Sequence, residues 1–161
     1  MDYKDTVAIL GANSRLGNII AKGICRQYRL VLMDEQIQQL TALAHDIAKL
    51  NCNANVEVIP CCKDASWEAD IIIVVAEEAA QAAIAEKIKE VATCKTVINI
   101  GTSAKGSKSF QQLLPHSKVV TILFDANHDE QGWSIVSMEG TDDVAKTIAI
   151  KMMQLIGLRV A

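Results

Sequence analysis

Residues 6–17 read Thr-Val-Ala-Ile-Leu-Gly-Ala-Asn-Ser-Arg-Leu-Gly. The run Thr6–Leu10 is apolar or β-branched and stops at Gly11, the pattern of a short strand buried on both faces. Leu16, Ile19, Ile20, Gly23 and Ile24 then recur at helical spacing and predict a helix from about Ser14 to Gln27. A strand that turns into a helix through a glycine gathers main-chain N–H groups and the positive end of a helix dipole at one point, which suits an anion.

The same alternation continues along the chain. Arg29–Met33 reads as a second strand closed by Asp34, and Ile37, Leu40, Ala44 and Ile47 mark a helix to about Leu50. After the polar turn at 51–55, Val56–Ile59 predicts a third strand, Pro60–Ala69 a loop, and Asp70–Val75 a β-branched fourth strand. Ala79–Ala92 predicts a helix with Ile84, Ile88 and Val91 on one face, and Thr96–Ile100 a fifth strand ending at Gly101. The Ser/Gly/Lys-rich stretch 102–109 reads as a loop, Phe110–Leu114 as a short helix stopped by Pro115, and Val119–Phe124 as a sixth strand. A polar loop, Asp125–Gly132, leads to a seventh strand at Trp133–Met138. Thr141-Asp142-Asp143 supplies a capping hydroxyl and an acidic first turn for a last helix. That helix is expected to bury Val144, Ile148, Met152 and Ile156 and to stop at Gly157, with one more short strand at Leu158–Val160. The order βαβαβ, βαβ and a longer tail calls for a doubly wound, mostly parallel α/β sheet with helices on both faces, read as one domain over residues 1–161.

Composition agrees with that class. Half of the 161 residues are hydrophobic but only 4% are aromatic, so the core is built of Ile, Val, Leu and Ala. A net charge of −3 carries no basic footprint for nucleic acid. The longest apolar run, Ile71–Ala76, is too short to span a membrane, and the polar N-terminus has no signal-peptide pattern, so a cytoplasmic protein is expected. The five cysteines match no zinc spacing, and no metal is expected. They read as reduced, partly buried thiols, although the vicinal pair Cys61-Cys62 could act as a redox switch.

The stretch Gly11-Ala12-Asn13-Ser14-Arg15-Leu16-Gly17 has the strand–turn–helix setting of the Rossmann dinucleotide fingerprint. Gly11 suits the tight turn and Gly17 a close helix–strand contact, while the amides and hydroxyl of Ser14 could face a diphosphate. The pattern is G-x-x-x-x-x-G, with Asn13 at the second glycine position; Asn tolerates left-handed backbone angles. Asp34, ending the second strand, could accept hydrogen bonds from adenosine ribose hydroxyls and repel a 2′-phosphate, which favours NAD. Arg15 could instead hold a 2′-phosphate and favour NADP, or simply be solvated. A Rossmann-shaped domain that has lost its cofactor also fits these residues.

With TVAILGANSRLG, Asp34, ADIIIVVAEEAAQAAIAEKIKEV, TVINIGTS and SMEGTDDVAKTIAIKMMQLIGLRV, the chain resembles the NAD(P)-binding domain of the 6-phosphogluconate-dehydrogenase-like superfamily. Within it, the sequence is most similar to deazaflavin-dependent NADP reductases and their NADP-oxidoreductase relatives, and more loosely to prephenate dehydrogenases. The resemblance implies a diphosphate at Asn13 to Leu16, a ribose at Asp34, and a nicotinamide near Ala76, Gly101, Thr102 and Ser103. It implies hydride transfer between NAD or NADP and a small substrate that the sequence does not identify. The alternative is a non-catalytic dinucleotide-binding sensor or subunit module lacking its own substrate domain. NADP-preferring relatives usually carry Ser, Thr or Arg where Asp34 stands, and many members add a helical substrate domain. A homodimer could supply the missing half of a cleft.

Hydride transfer needs mainly the positioning of two rings, so no dedicated acid–base pair is required. His128 with Asp125 and Asp129 could donate a proton, and Lys105 and Lys108 could attract an anionic substrate; solvated loops account for both. His45 and His116 read as surface residues, Trp67 and Trp133 as partly buried packing residues, and Glu77-Glu78 as a helix start.

Overall fold

In a computed structural model, residues 4–101, 110–124 and 135–157 are described, without the side chains of Glu78, Ile135 and Val136. Seven strands form one sheet: β1 (Thr6–Leu10), β2 (Arg29–Met33), β3 (Val56–Val58), β4 (Ile71–Val75), β5 (Thr96–Gly101), β6 (Lys118–Phe124) and β7 (Ile135–Gly140). Their spatial order is β3-β2-β1-β4-β5-β6-β7. All neighbours are parallel except β6 and β7. The chain builds outward from β1 to β3, then returns to the other side of β1 with β4. A crevice therefore opens between β1 and β4 at the carboxyl ends of the strands, where ligands of such sheets bind.

Side chains alternate across the pleat. Val7, Ile9, Leu30, Leu32, Ile71, Ile73, Ile98 and Ile100 pack on one face, against α1 (Arg15–Ile24), α2 (Ile37–Leu50) and α6 (Asp143–Leu155). Ala8, Leu10, Val31, Ile72, Val74 and Val97 pack on the other, against α3 (Cys62–Glu68), α4 (Glu78–Ile88) and α5 (Phe110–Leu113). Each fully buried Ile or Leu contributes about 1.5–3 kcal/mol. This two-sided burial explains why the strands read as continuous apolar runs.

Several sequence expectations are corrected. The segment Pro60–Ala69 is not all loop: it holds α3, whose Cys62, Ala65 and Ser66 are buried, with Ala69 buried just after it. Trp67 on that helix is 69% exposed rather than packed inside. Its ring lies under Lys95, whose ammonium is 5.9 Å from the ring centroid and donates to the carbonyls of Ser66 (2.7 Å) and Trp67 (3.0 Å). Lys95 thus closes the carboxyl end of α3, and burial lowers its pKa from the usual lysine value, against the pull of Asp70 and Glu68. The cap of α6 is Asp142, accepting from the Ala145 amide at 2.8 Å, rather than the Thr141 hydroxyl. The buried face of the helix is Ala145, Ala149, Met152 and Met153, and Val144 is exposed. On α2, Leu43 is buried and Ile37 is half exposed. Helix α4 ends at Ile88, so the buried Val91 follows it. Trp133 and the expected strand at 158–160 lie outside the described residues.

Candidate functional site

The turn after β1 is bolted to the end of β2. The amides of Gly11 and Ala12 both donate to the Met33 carbonyl, at 2.9 and 3.1 Å. Gly11 has φ +95, and a Cβ there would lie 2.0 Å from the Val75 carbonyl oxygen. Only glycine fits both the angle and the closeness to β4. Gly17 lies one turn into α1, where a Cβ would meet Gly11 O at 2.4 Å and Ala12 Cα at 2.9 Å. These two glycines let α1 start directly over the crevice between β1 and β4.

Within the turn most N–H groups are already used. Asn13 N–H donates to Asp34 Oδ2 at 2.9 Å, and Ser14 N–H to the Gly11 carbonyl at 3.2 Å. Ser14 Oγ donates to the Gly11 carbonyl at 2.8 Å and accepts from Gly17 N–H at 3.0 Å. Its single hydroxyl proton is therefore spent on the Gly11 carbonyl rather than free for a phosphate. The N–H groups of Arg15 and Leu16 have no acceptor among the described residues. They are the first two orphan donors of α1, at its positive end, a cradle that suits an anion. Leu16 is buried and Arg15 is exposed. Asn13 is not left-handed, since Cys94 is the one non-glycine with positive φ among the described residues. Instead its Nδ2 donates to the Gln36 carbonyl at 3.0 Å, a second bolt between the β1–α1 and β2–α2 turns.

Asp34 is half buried at the lip of this turn. Its Oδ1 accepts from Glu35 N–H at 2.7 Å, so both carboxylate oxygens are held by main-chain donors. Each oxygen keeps a lone pair for another donor. Beside it, Cys62 Sγ lies 3.4 Å from Met33 Sδ. Burial pushes the Cys62 thiol up, Lys87 opposes this, and Cys61 and Asp34 add to it, so the thiol stays protonated at neutral pH. The vicinal pair is divided, with Cys62 buried and Cys61 exposed, and all five cysteines are free.

Across the crevice, Val75 pairs with Ile100, bringing Ala76 and Gly101 to the same edge. Gln81, half buried on α4, reaches back to that edge and donates through Nε2 to the Ala76 carbonyl at 3.3 Å. Sequence reasoning passed over Gln81, which is one polar residue in an Ala-rich helix and carries no motif. Thr102, Ser103, Lys105, Lys108, Asp125, His128 and Asp129 lie outside the described residues, while His45 and His116 are exposed. No metal-binding cluster occurs among the described residues. An open groove of about 490 Å³ lined by Gln111, Lys118 and Asp142 sits at the opposite end of β6, away from the turn. No helix among the described residues is long and apolar enough to cross a membrane.

Neither a family model nor a curated protein sequence matches this chain. Solved structures do. A 3-hydroxyisobutyrate dehydrogenase of Mycobacterium tuberculosis superposes with a TM-score of 0.76 at 13% identity, over 98% of this chain and 54% of that one. A pyrroline carboxylate reductase of Plasmodium falciparum with NADP bound gives 0.71 at 13% identity, over 97% and 56%. A protein assigned as an F420-dependent NADP-reductase of an Arthrobacter species gives 0.67 at 16% identity, over 96% and 83%. The chain thus spans little more than half of the first two. At these identities the shared property is the architecture: this chain carries the Rossmann fold, a doubly wound and mostly parallel sheet that it has in common with these dehydrogenases and reductases.

Proposed function

We propose that this chain is an NAD-binding domain of an oxidoreductase-type protein. The observation that carries the reading is the cradle at the start of α1. Two unspent N–H groups, Arg15 and Leu16, stand beside a carboxylate, Asp34, whose oxygens still have lone pairs. In this reading the two amides hold the diphosphate, with Gly11 and Gly17 keeping the backbone close, and Ala12, Asn13 and Ser14 shaping the turn. Asp34 accepts from the adenosine ribose hydroxyls, and its charge disfavours a 2′-phosphate, so NAD is preferred to NADP. Ala76, Gly101, Thr102 and Ser103 surround the nicotinamide. When bound, the nicotinamide donates or accepts the hydride. The protein's part is to hold its ring against a small substrate.

Thermal stability measured with NAD, NADH, NADP and NADPH tests this. A ligand bound to the native state at a hundred times its Kd stabilises by about 2.7 kcal/mol, which moves the melting temperature. The expected order is a larger rise with NAD or NADH. No rise with any of the four at millimolar concentration removes the dinucleotide reading.

A second reading fits the same cradle, which would hold a dinucleotide without itself supplying a group for a substrate. Here the domain binds the dinucleotide as a sensor or subunit module, and a partner chain or a second copy supplies the substrate groups. NADH oxidation with a panel of small carbonyl and imine acceptors separates the two, since only the first reading predicts turnover by this chain alone.

A further inference from the structure

The far edge of the crevice holds polar groups that the fold does not use. On the α4 side of the sheet, the inner residues of β4 and β5 are apolar: Ile72, Val74 and Val97. Toward the carboxyl end of β5 that face changes character. Asn99 is 4% exposed, yet its Oδ1 has no donor among the described residues. Gly101, two residues on, is bare. Gln81 hangs over it from α4, and a Cβ on Gly101 would come within 3.7 Å of Gln81 Nε2.

The Gln81 amide is oriented by its partner. Because the Ala76 carbonyl can only accept, the nitrogen must face it. One N–H of the pair is used there. Among the described residues, the other N–H and both lone pairs of Oε1 remain. A primary carboxamide has the same inventory, one acceptor oxygen and an NH2 donor, so the two groups can exchange hydrogen bonds reciprocally. The location fits as well. From the turn on β1 to the edge of β5 is two strand spacings, about 9.6 Å, and the intervening β4 lies directly against Gly11 through the Val75 carbonyl.

Gly101 differs from the two turn glycines. A Cβ there would make only ordinary contacts, 3.7 Å to Gln81 Nε2 and 3.7 Å to Leu123 Cδ2, and its φ is not left-handed. The protein itself does not require a glycine at this position. Among the described residues, the room that a methyl group would take there stays open to a ligand.

We propose that Gln81 recognises the carboxamide of the nicotinamide ring, and that Gly101 leaves the space in which the ring is held. The proposal rests on the dinucleotide reading and names the side chain that reads the ring end of that ligand.

Calorimetric titration of the full chain with NADH and with ADP-ribose, which keeps the diphosphate and adenosine but lacks the ring, separates the two. The native protein is expected to bind both, NADH more tightly. Gln81→Ala is expected to weaken NADH by about fivefold to tenfold, the worth of one or two net hydrogen bonds, and to leave ADP-ribose unchanged. Gly101→Ala is expected to give the same selective loss with an unaltered unfolding midpoint, because the methyl group fits the protein. Affinities in Gln81→Ala equal to the native ones for both ligands overturn the role of Gln81. An equal fall for both ligands also overturns it, since that marks a purely structural residue. Failure of the native protein to bind ADP-ribose and NADH alike overturns the dinucleotide reading itself.

Discussion

The main-chain N–H of Asn13 donates to Asp34 Oδ2 at 2.9 Å, so the residue that closes β2 holds the turn that follows β1. One carboxylate thereby fixes the shape of the turn and, in the function proposed above, also accepts from the ribose. Both follow from parallel pairing of β1 with β2, which sets Leu10 beside Met33 and puts Gly11 and Asp34 at one edge.

Replacing Asp34 with Ala removes both effects. The NADH dissociation constant is expected to rise by at least about tenfold, since a hydrogen bond to a charged group is worth about 1.5–3 kcal/mol. NADPH should change less, because the repulsion of its 2′-phosphate disappears together with the anchor. Titration of both ligands gives the ratio, and an unchanged NADPH-to-NADH preference would count against the ribose role of Asp34.

Gly17→Ala tests the closeness of helix and turn. The added methyl group would meet backbone at 2.4 and 2.9 Å, which a side-chain rotation cannot relieve. Overpacking of this kind costs about 1–3 kcal/mol. Urea denaturation should show that loss, and a variant as stable as the native chain would contradict the geometry of the turn.

How much of this was legible in the sequence depends on what each residue does. Arg29–Met33 and Ile37–Leu50 have the same bounds in sequence and structure, because an unbroken apolar run and a 3.6-residue stripe are unambiguous. Helix α3 was hidden. Its buried residues are small ones, Cys62, Ala65 and Ser66, and the largest side chain on it, Trp67, points to solvent under Lys95. The cap of α6 was misplaced by one residue because Thr141 and Asp142 are both good caps and sequence does not rank adjacent candidates. At the site, Gly11, Gly17 and Asp34 stood out because the backbone needs those residue types. Which amides remain unspent, and that Ser14 is consumed as a cap, depend on hydrogen bonds that no spacing encodes.

The buried thiol of Cys62 gives a pH signature. Its pKa is raised in the folded chain above the ordinary value of 9.0, mainly by burial. The folded state therefore favours the protonated thiol. That stability is complete below the unfolded value and is lost as the pH rises through the folded one. Tyr28 is raised in the same sense, from 10.0, and adds to the loss at higher pH, while the lowered Lys95 acts with the opposite sign. In urea unfolding followed from pH 8 upward, Cys62→Ala should show a shallower decline of stability than the native chain. Parallel curves would show that Cys62 does not titrate differently on folding.

The most direct test of the central claim is the amide spectrum of isotope-labelled protein during titration with NADH. Diphosphate binding at the cradle predicts that the N–H resonances of Arg15 and Leu16 shift most, with Asn13 and Glu35 following through Asp34. Saturating NADH that leaves Arg15 and Leu16 unmoved, or that shifts only residues away from the β1–β4 crevice, would contradict it.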